Sequence, residues 1–219
     1  MEERLEAVES RLALALHRAG RRREEVTLLA VTKVFPAAAI LDAYALGLRE
    51  FGENYVQEFE TKYPEVSGLA GARFHLIGHL QSNKSRRAAE IFQVIQTVDS
   101  PKLARRLNEA AVSPLEVMIE VKLSGEQSKA GCDPASIGEV ADAISACGNL
   151  KLRGLMTMPP WSDDPEVARP YFRRLKQLAD QHGLAELSMG MSHDFEAAVE
   201  EGSTCIRVGT ALFGRRMKK

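Results

Sequence analysis

Apolar residues recur at spacings of three and four through Leu5, Val8, Leu12, Ala15, Leu16 and Ala19, with charged residues between them, which predicts an amphipathic helix over 1–19 ended by Gly20. From residue 26 the pattern changes. Short apolar runs predict buried strands at about 26–33, 49–54, 72–78, 92–98, 115–123, 150–158, 186–190 and 205–209. Helical patterns fill the intervals, at 36–47, 55–63, 83–91, 101–111, 134–147, 164–182 and 194–201. Several of them open on start signals: Ser100-Pro101, Asp133-Pro134, and Asp164-Pro165 followed by Glu166.

Strict alternation with short connections implies right-handed crossovers and a parallel sheet. Eight strands and seven intervening helices, with one more helix ahead of the first strand, predict an α/β fold: a single (β/α)₈ TIM-type barrel with an additional N-terminal helix, one domain over 1–219. Almost nothing follows strand eight, so the N-terminal helix is expected to cover that flank. An open doubly wound sheet is the alternative, but Thr32-Lys33-Val34-Phe35-Pro36, the first strand–helix turn, has no glycine fingerprint. Trp161-Ser162-Asp163-Asp164-Pro165 is the best candidate for a mobile loop.

The apolar fraction of 45% and charged fraction of 27% are those of an ordinary globular protein. A net charge of −1 argues against a nucleic-acid binder. The basic clusters Arg21-Arg22-Arg23, Lys84-Ser85-Arg86-Arg87 and Arg215-Arg216-Met217-Lys218-Lys219 are short and read as solvated helix ends or a tail. No apolar stretch suits a membrane, and the charged start Met1-Glu2-Glu3-Arg4 is not a secretory signal. Cys132, Cys147 and Cys205 have neither disulfide nor zinc spacing, so a reducing cytoplasm is the expected location.

In this fold the site lies at the C-terminal ends of the strands. Lys33 closes the apolar run Val26-Thr27-Leu28-Leu29-Ala30-Val31-Thr32. Partial desolvation there would lower its pKa and make a nucleophilic amine able to condense with an aldehyde. A strand-end lysine with its head in water fits the same segment. Further on, Gly52-Glu53-Asn54-Tyr55, His75-Leu76-Ile77-Gly78 and Met156-Thr157-Met158-Pro159 end strands two, three and six. Met189-Gly190-Met191-Ser192 and Gly209-Thr210 end strands seven and eight, where barrels bind phosphate. Gly190 and Gly209 would let backbone amides approach an anion, Ser192 and Thr210 add hydroxyls, and a helix starting near Asp194 aims its positive end there. Glycines that merely turn the chain and hydroxyls that cap helices are the plainer reading.

Arg207 lies inside the apolar segment Cys205-Ile206-Arg207-Val208, where an unpaired charge is costly. It either enters the barrel towards an acceptor or faces the helices and pairs with a carboxylate. Ser192-His193-Asp194 cannot form a catalytic triad, because consecutive residues do not converge on one nucleophile. His75 and His79 do not share a helix face, so no metal site is expected.

Seven segments, in order and over nearly the whole chain, resemble the pyridoxal phosphate homeostasis protein family. They are Ala30-Val31-Thr32-Lys33; Phe51-Gly52-Glu53-Asn54-Tyr55-Val56-Gln57-Glu58; His75-Leu76-Ile77-Gly78-His79-Leu80-Gln81-Ser82-Asn83-Lys84; Ser124-Gly125-Glu126-Gln127-Ser128-Lys129-Ala130-Gly131; Gly154-Leu155-Met156; Ser188-Met189-Gly190-Met191-Ser192; and Arg207-Val208-Gly209-Thr210-Ala211-Leu212-Phe213-Gly214. The family resembles the barrel domain of alanine racemase standing alone. The resemblance implies that Lys33 holds pyridoxal 5′-phosphate as an internal aldimine and that Arg207 faces the pyridine nitrogen. It also implies that Ser192, Gly209 and Thr210 form the phosphate cup and that Asn54 lines the cofactor side of the pocket. An arginine cannot accept a proton from the ring nitrogen, so the ring would be a weak electron sink. Two positions depart from the family pattern: Phe74 precedes His75 where tryptophan is usual, with Leu76 in place of phenylalanine, and Lys122-Leu123 replaces an Asn-Thr pair and puts a positive charge near the mouth.

The resemblance thus implies a cytoplasmic, monomeric protein that binds pyridoxal phosphate and buffers it or delivers it to apo-enzymes, with no catalytic residue of its own. An amino-acid racemase is the alternative, but it needs a tyrosine on the opposite face from a domain this chain does not show. Tyr44, Tyr55, Tyr63 and Tyr171 all fall on helical patterns or at their starts. A Schiff-base aldolase acting on a phosphorylated sugar would share the lysine and the phosphate site.

Overall fold

The computed structural model describes residues 1–125 and 130–214. Eight parallel strands pair in chain order: β1 (Thr27–Val31), β2 (Glu50–Glu53), β3 (Arg73–Leu76), β4 (Val94–Val98), β5 (Leu115–Glu120), β6 (Leu150–Met156), β7 (Glu186–Met191) and β8 (Cys205–Val208). Pairing of β1 with β8, from Thr27 against Cys205 to Ala30 against Val208, closes the barrel and excludes the open-sheet alternative. The helices are α1 (Glu2–Ala19), α2 (Ala37–Ala45), α3 (Val56–Val66), α4 (Ser85–Ile91), α5 (Pro101–Ala110), α6 (Ile137–Ser145), α7 (Arg169–Gln181), α8 (Phe195–Glu200) and α9 (Thr210–Phe213).

Where the elements differ from the sequence reading, local physics explains the change. β1, β2, β3, β5, β6 and β8 stop short of the expected ends, where the chain leaves the hydrogen-bond ladder for the connections at the mouth of the barrel. The patterns over 134–147 and 164–182 each begin with a 3₁₀ turn, Pro134–Ser136 and Pro165–Ala168, a tight start that proline tolerates. α3 runs past its expected end through Pro64 to Val66, since Phe59, Lys62 and Val66 are all buried on one face. That burial outweighs the hydrogen bond lost at the proline.

Most apolar side chains fill the layer between barrel and helices, where Phe59 lies 4.8 Å, ring centre to ring centre, from both Phe74 and Phe92. Inside the barrel a small apolar group, Leu29, Val31, Ile77 and Cys205, sits beneath the mouth. After β8 the chain makes the one-turn α9 rather than nothing, and α1 packs on α8 and α9, covering the flank as expected. Arg11 pairs with Glu196 and Arg18 with Glu200, each at 2.6 Å.

The basic cluster after Gly20 is not simply solvated: Arg21 donates to the carbonyls of Val199 (3.0 Å) and Ser203 (2.8 Å), and Arg23 pairs with Glu9 at 2.8 Å. Arg87 likewise pairs with Glu60 (2.9 Å) and Glu90 (2.8 Å). The basic tail over 215–219 lies outside the described residues, as do Glu126, Gln127, Ser128 and Lys129. All three cysteines are buried and unpaired. Among the described residues no helix is long and apolar enough to cross a membrane, and no cluster could hold a metal.

Candidate functional site

Lys33 sits, half-buried, in the turn that follows β1, closed by the Phe35 amide donating to the Thr32 carbonyl at 3.1 Å. The next residue, Val34, has φ +63°, a conformation in which a β-branched side chain is strained. Its amide donates to Glu58 Oε1 at 2.5 Å, which ties the strained turn to α3. Glu58 also accepts from Lys62 Nζ at 2.7 Å, and Lys62 donates in turn to the Thr32 carbonyl (3.0 Å) and Glu53 Oε1 (2.9 Å). The Thr32 hydroxyl completes the group by donating to Glu53 Oε1 at 2.7 Å. Burial raises the pKa of Glu53, opposed by the attraction of Lys62. Residues from β1, β2 and α3 therefore converge beneath Lys33 as one buried polar cluster.

The loops after β7 and β8 meet at Ser192, whose hydroxyl oxygen accepts from the amides of Gly209 (3.1 Å) and Ala211 (3.3 Å). Its own O–H is left to donate. Arg11 from α1 holds this loop by donating to the Ser192 carbonyl at 3.1 Å. Gly190 also serves packing: at φ +90° a Cβ there would lie 2.5 Å from the Ala198 Cβ, so only glycine admits the close approach of α8. The start of α8 is also less open than expected, because the buried Asp194 accepts from the Met191 amide at 2.6 Å. Burial raises the pKa of Asp194, and that amide bond opposes the rise.

Arg207 points into the barrel, which decides between its two sequence readings. It is 3% exposed and donates to Ser188 Oγ and to the Thr157 carbonyl, both at 2.8 Å. Burial lowers its pKa from the ordinary arginine value, but a guanidinium remains a cation in any protein. Below it a polar column continues: Ser188 donates to Gln96 (2.7 Å), the Gln96 amide to His75 Nδ1 (2.9 Å), and His75 Nε2 meets Glu50 Oε2 at 2.5 Å. His75 is thus a member of the barrel's lower interior and not of the mouth where its sequence position suggested it would lie.

Lys33, Asn54, Ser192, Arg207, Gly209 and Thr210 all line one cavity of about 230 Å³. Val31 and Ile77 form part of its apolar wall. The cavity suits a flat, anionic, aldehyde-bearing ring: an amine at one side, a cation fixed from beneath, apolar walls, and hydroxyls with backbone amides gathered at one end. None of the four tyrosines lines it; Tyr44, Tyr63 and Tyr171 lie on α2, α3 and α7, and Tyr55 caps α3.

Phe35, Met158, Trp161 and His193 also line the cavity, although none of them was assigned a role in the site from the sequence. Trp161, placed in a candidate mobile loop, lies over the site with its ring centre 3.9 Å from that of His193. Glu120, at the end of β5, is 3% exposed and burial pushes its pKa up to about 7. It interrupts the apolar run Val117-Met118-Ile119-Glu120-Val121 just as Arg207 interrupts its own, and that was the available signal.

Residues 4–217 match the family model of the alanine racemase N-terminal domain. The pyridoxal phosphate homeostasis protein of Pseudomonas aeruginosa is 47% identical over 98% of this chain and 95% of that protein. The Escherichia coli K12 protein of the same name is 44% identical over 97% of this chain and 95% of that protein. PipY of Synechococcus elongatus PCC7942, solved with PLP bound, superposes with a TM-score of 0.86 at 40% identity, covering 97% of this chain and 99% of that one. Clostridium difficile alanine racemase shares the fold with a TM-score of 0.72 at 15% identity, and this chain spans 58% of it.

Proposed function

This chain belongs to the pyridoxal phosphate homeostasis protein family, and from that membership we propose that it binds pyridoxal 5′-phosphate covalently through Lys33 and buffers or delivers it without substrate turnover. The observation that carries the reading is the convergence of Lys33, Arg207 and the loops after β7 and β8 on one cavity. The cofactor supplies an aldehyde carbon open to attack by an amine, and everything else comes from the chain. The polar cluster under Thr32 orients the Lys33 turn. Ser192, Gly209 and Thr210 hold the phosphate, Asn54 lines the ring's side, and Val31 and Ile77 keep water from its face. Arg207 donates towards the pyridine nitrogen and can take no proton from it, which suits holding a cofactor better than drawing charge off a substrate.

In this reading residues 1–219 act as one cofactor-binding barrel, a cytoplasmic monomer whose partners are pyridoxal phosphate and apo-enzymes that need it. The racemase alternative has less support, since no tyrosine lines the cavity and the relatives are named for homeostasis. An absorption spectrum of the purified protein, before and after borohydride, tests the reading. A cofactor band should shift on reduction, and peptide mapping should place the fixed label on Lys33. Lys33→Ala should lose both band and label; a label mainly on Lys84 or Lys129 would sink the assignment.

A further inference from the structure

Beside the cofactor cavity lies a second, larger chamber of about 520 Å³ that shares Met158, Trp161 and Met191 with it as a common wall. Its inner end is Glu120, 3% exposed, whose Oε2 is buried and has no hydrogen-bond partner among the described residues. A buried carboxylate oxygen without a donor is costly, so its retention calls for a ligand that brings one. The neighbouring cation does not serve, because Arg207 donates to Ser188 and Thr157 instead. Two residues on, Lys122 lines the same chamber and, among the described residues, pairs at 3.6 Å with the exposed Asp133. Glu120 at the end of β5 and Lys122 beyond it thus present a carboxylate and an ammonium to one chamber, the complement of the two charges of an α-amino acid. The shared wall of Met158, Trp161 and Met191 is apolar and leaves room for an aliphatic side chain.

We propose that this chamber is a second binding subsite for an aliphatic α-amino acid, with Glu120 accepting from the ammonium group, Lys122 donating to the carboxylate and Trp161 covering the side chain. The inference goes beyond the cofactor reading and needs no bound cofactor. It leaves the ligand's amine against the wall shared with the Lys33 cavity.

The chain has one tryptophan, so Trp161 fluorescence reports the chamber directly. L-leucine, isopentylamine and 4-methylpentanoate would be titrated at about pH 8, where the carboxylate near 7 is ionised, into cofactor-free and borohydride-reduced protein. L-leucine should give a saturable change in both forms. Glu120→Gln should weaken L-leucine and isopentylamine by about tenfold or more, the scale of one hydrogen bond to a charged group. Lys122→Met should weaken L-leucine alone. Pyridoxal phosphate affinity, followed by its own absorption, should stay unchanged in both variants, which separates failure here from failure of the cofactor reading. The proposal is overturned if 4-methylpentanoate binds as well as L-leucine, if Glu120→Gln keeps full affinity, if either variant loses amino acid and cofactor together, or if no saturable change occurs.

Discussion

The ε-amino group of Lys62 donates to the carbonyl of Thr32, 3.0 Å away and one residue before Lys33. A lysine buried on α3 thereby fixes the backbone that presents another lysine at the mouth. The first lysine serves architecture because Glu53 and Glu58 surround it; the second lines the cavity.

Lys62→Met should leave the Glu53 carboxylate buried without its cation. Removing one partner of a buried ion pair costs about 3–5 kcal/mol, and urea unfolding would measure it. Adding Glu53→Gln to Lys62→Met should recover much of the loss. A single-variant cost below about 1 kcal/mol, the scale of an exposed pair, would mean that the cluster does not hold the turn.

Ser192→Ala and Thr210→Val should each weaken pyridoxal phosphate binding by roughly 1.5–3 kcal/mol, the value of a hydrogen bond to a charged acceptor. Affinity for unphosphorylated pyridoxal should change little. Equal losses for the two ligands would show that neither hydroxyl meets the phosphate.

Glu120 should impose a pH dependence on stability. Its folded pKa of about 7 lies above the ordinary carboxylate value of 4.5, so the folded state holds the proton more tightly. The resulting stabilisation is complete below the unfolded value and is lost as pH rises through about 7, amounting to about 3 kcal/mol at most. Nearby Asp99 raises this pKa and Arg207 lowers it, so both charges belong to the same titration. Glu120→Gln should therefore gain on the wild type between pH 5 and pH 8 in parallel urea titrations. A difference that stays flat across that range would rule out a buried, titrating Glu120.

Racemisation of alanine should be negligible even with the cofactor bound. In the proposed reading Lys33 would be one acid/base, and no tyrosine lines the cavity to serve the opposite face. General acid–base assistance contributes about 10²–10⁴-fold. Deuterium exchange at Cα with chiral analysis would settle it, and turnover near about 1 s⁻¹ would favour the racemase reading.

The barrel was legible because short segments rich in apolar residues alternate with helical patterns along the chain, as a parallel sheet covered by helices requires. Lys33 and Arg207 stood out for the same reason, as charges set against that pattern. Glu120 broke it equally but sat near an expected strand end, where a charge invites no question. Lys62 shares the helical face of Phe59 and Val66, so its burial was written in the period of α3, although its partner Glu53 lies on another element. Met158, Trp161 and His193 could not be read this way. They sit on connections, where the path of the backbone and not a repeat decides what a side chain covers. His75 was misplaced because inward-facing residues of a short strand reach either end of the barrel, and only the partners Glu50 and Gln96 tell which.

The docking of α1 on α8 and α9 also bears on how a ribosome delivers this molecule. α1 carries an apolar stripe, Val8, Leu12, Ala15 and Leu16, and packs on α8 and α9, which follow it far along the sequence. β1 waits in the same way for β8. Until α8 and α9 have been synthesised, the stripe lacks these partners, and contacts closed over such a span form slowly. The seam between α1 and the α8–α9 segment is therefore where a nascent chain is most exposed to chaperones and to aggregation.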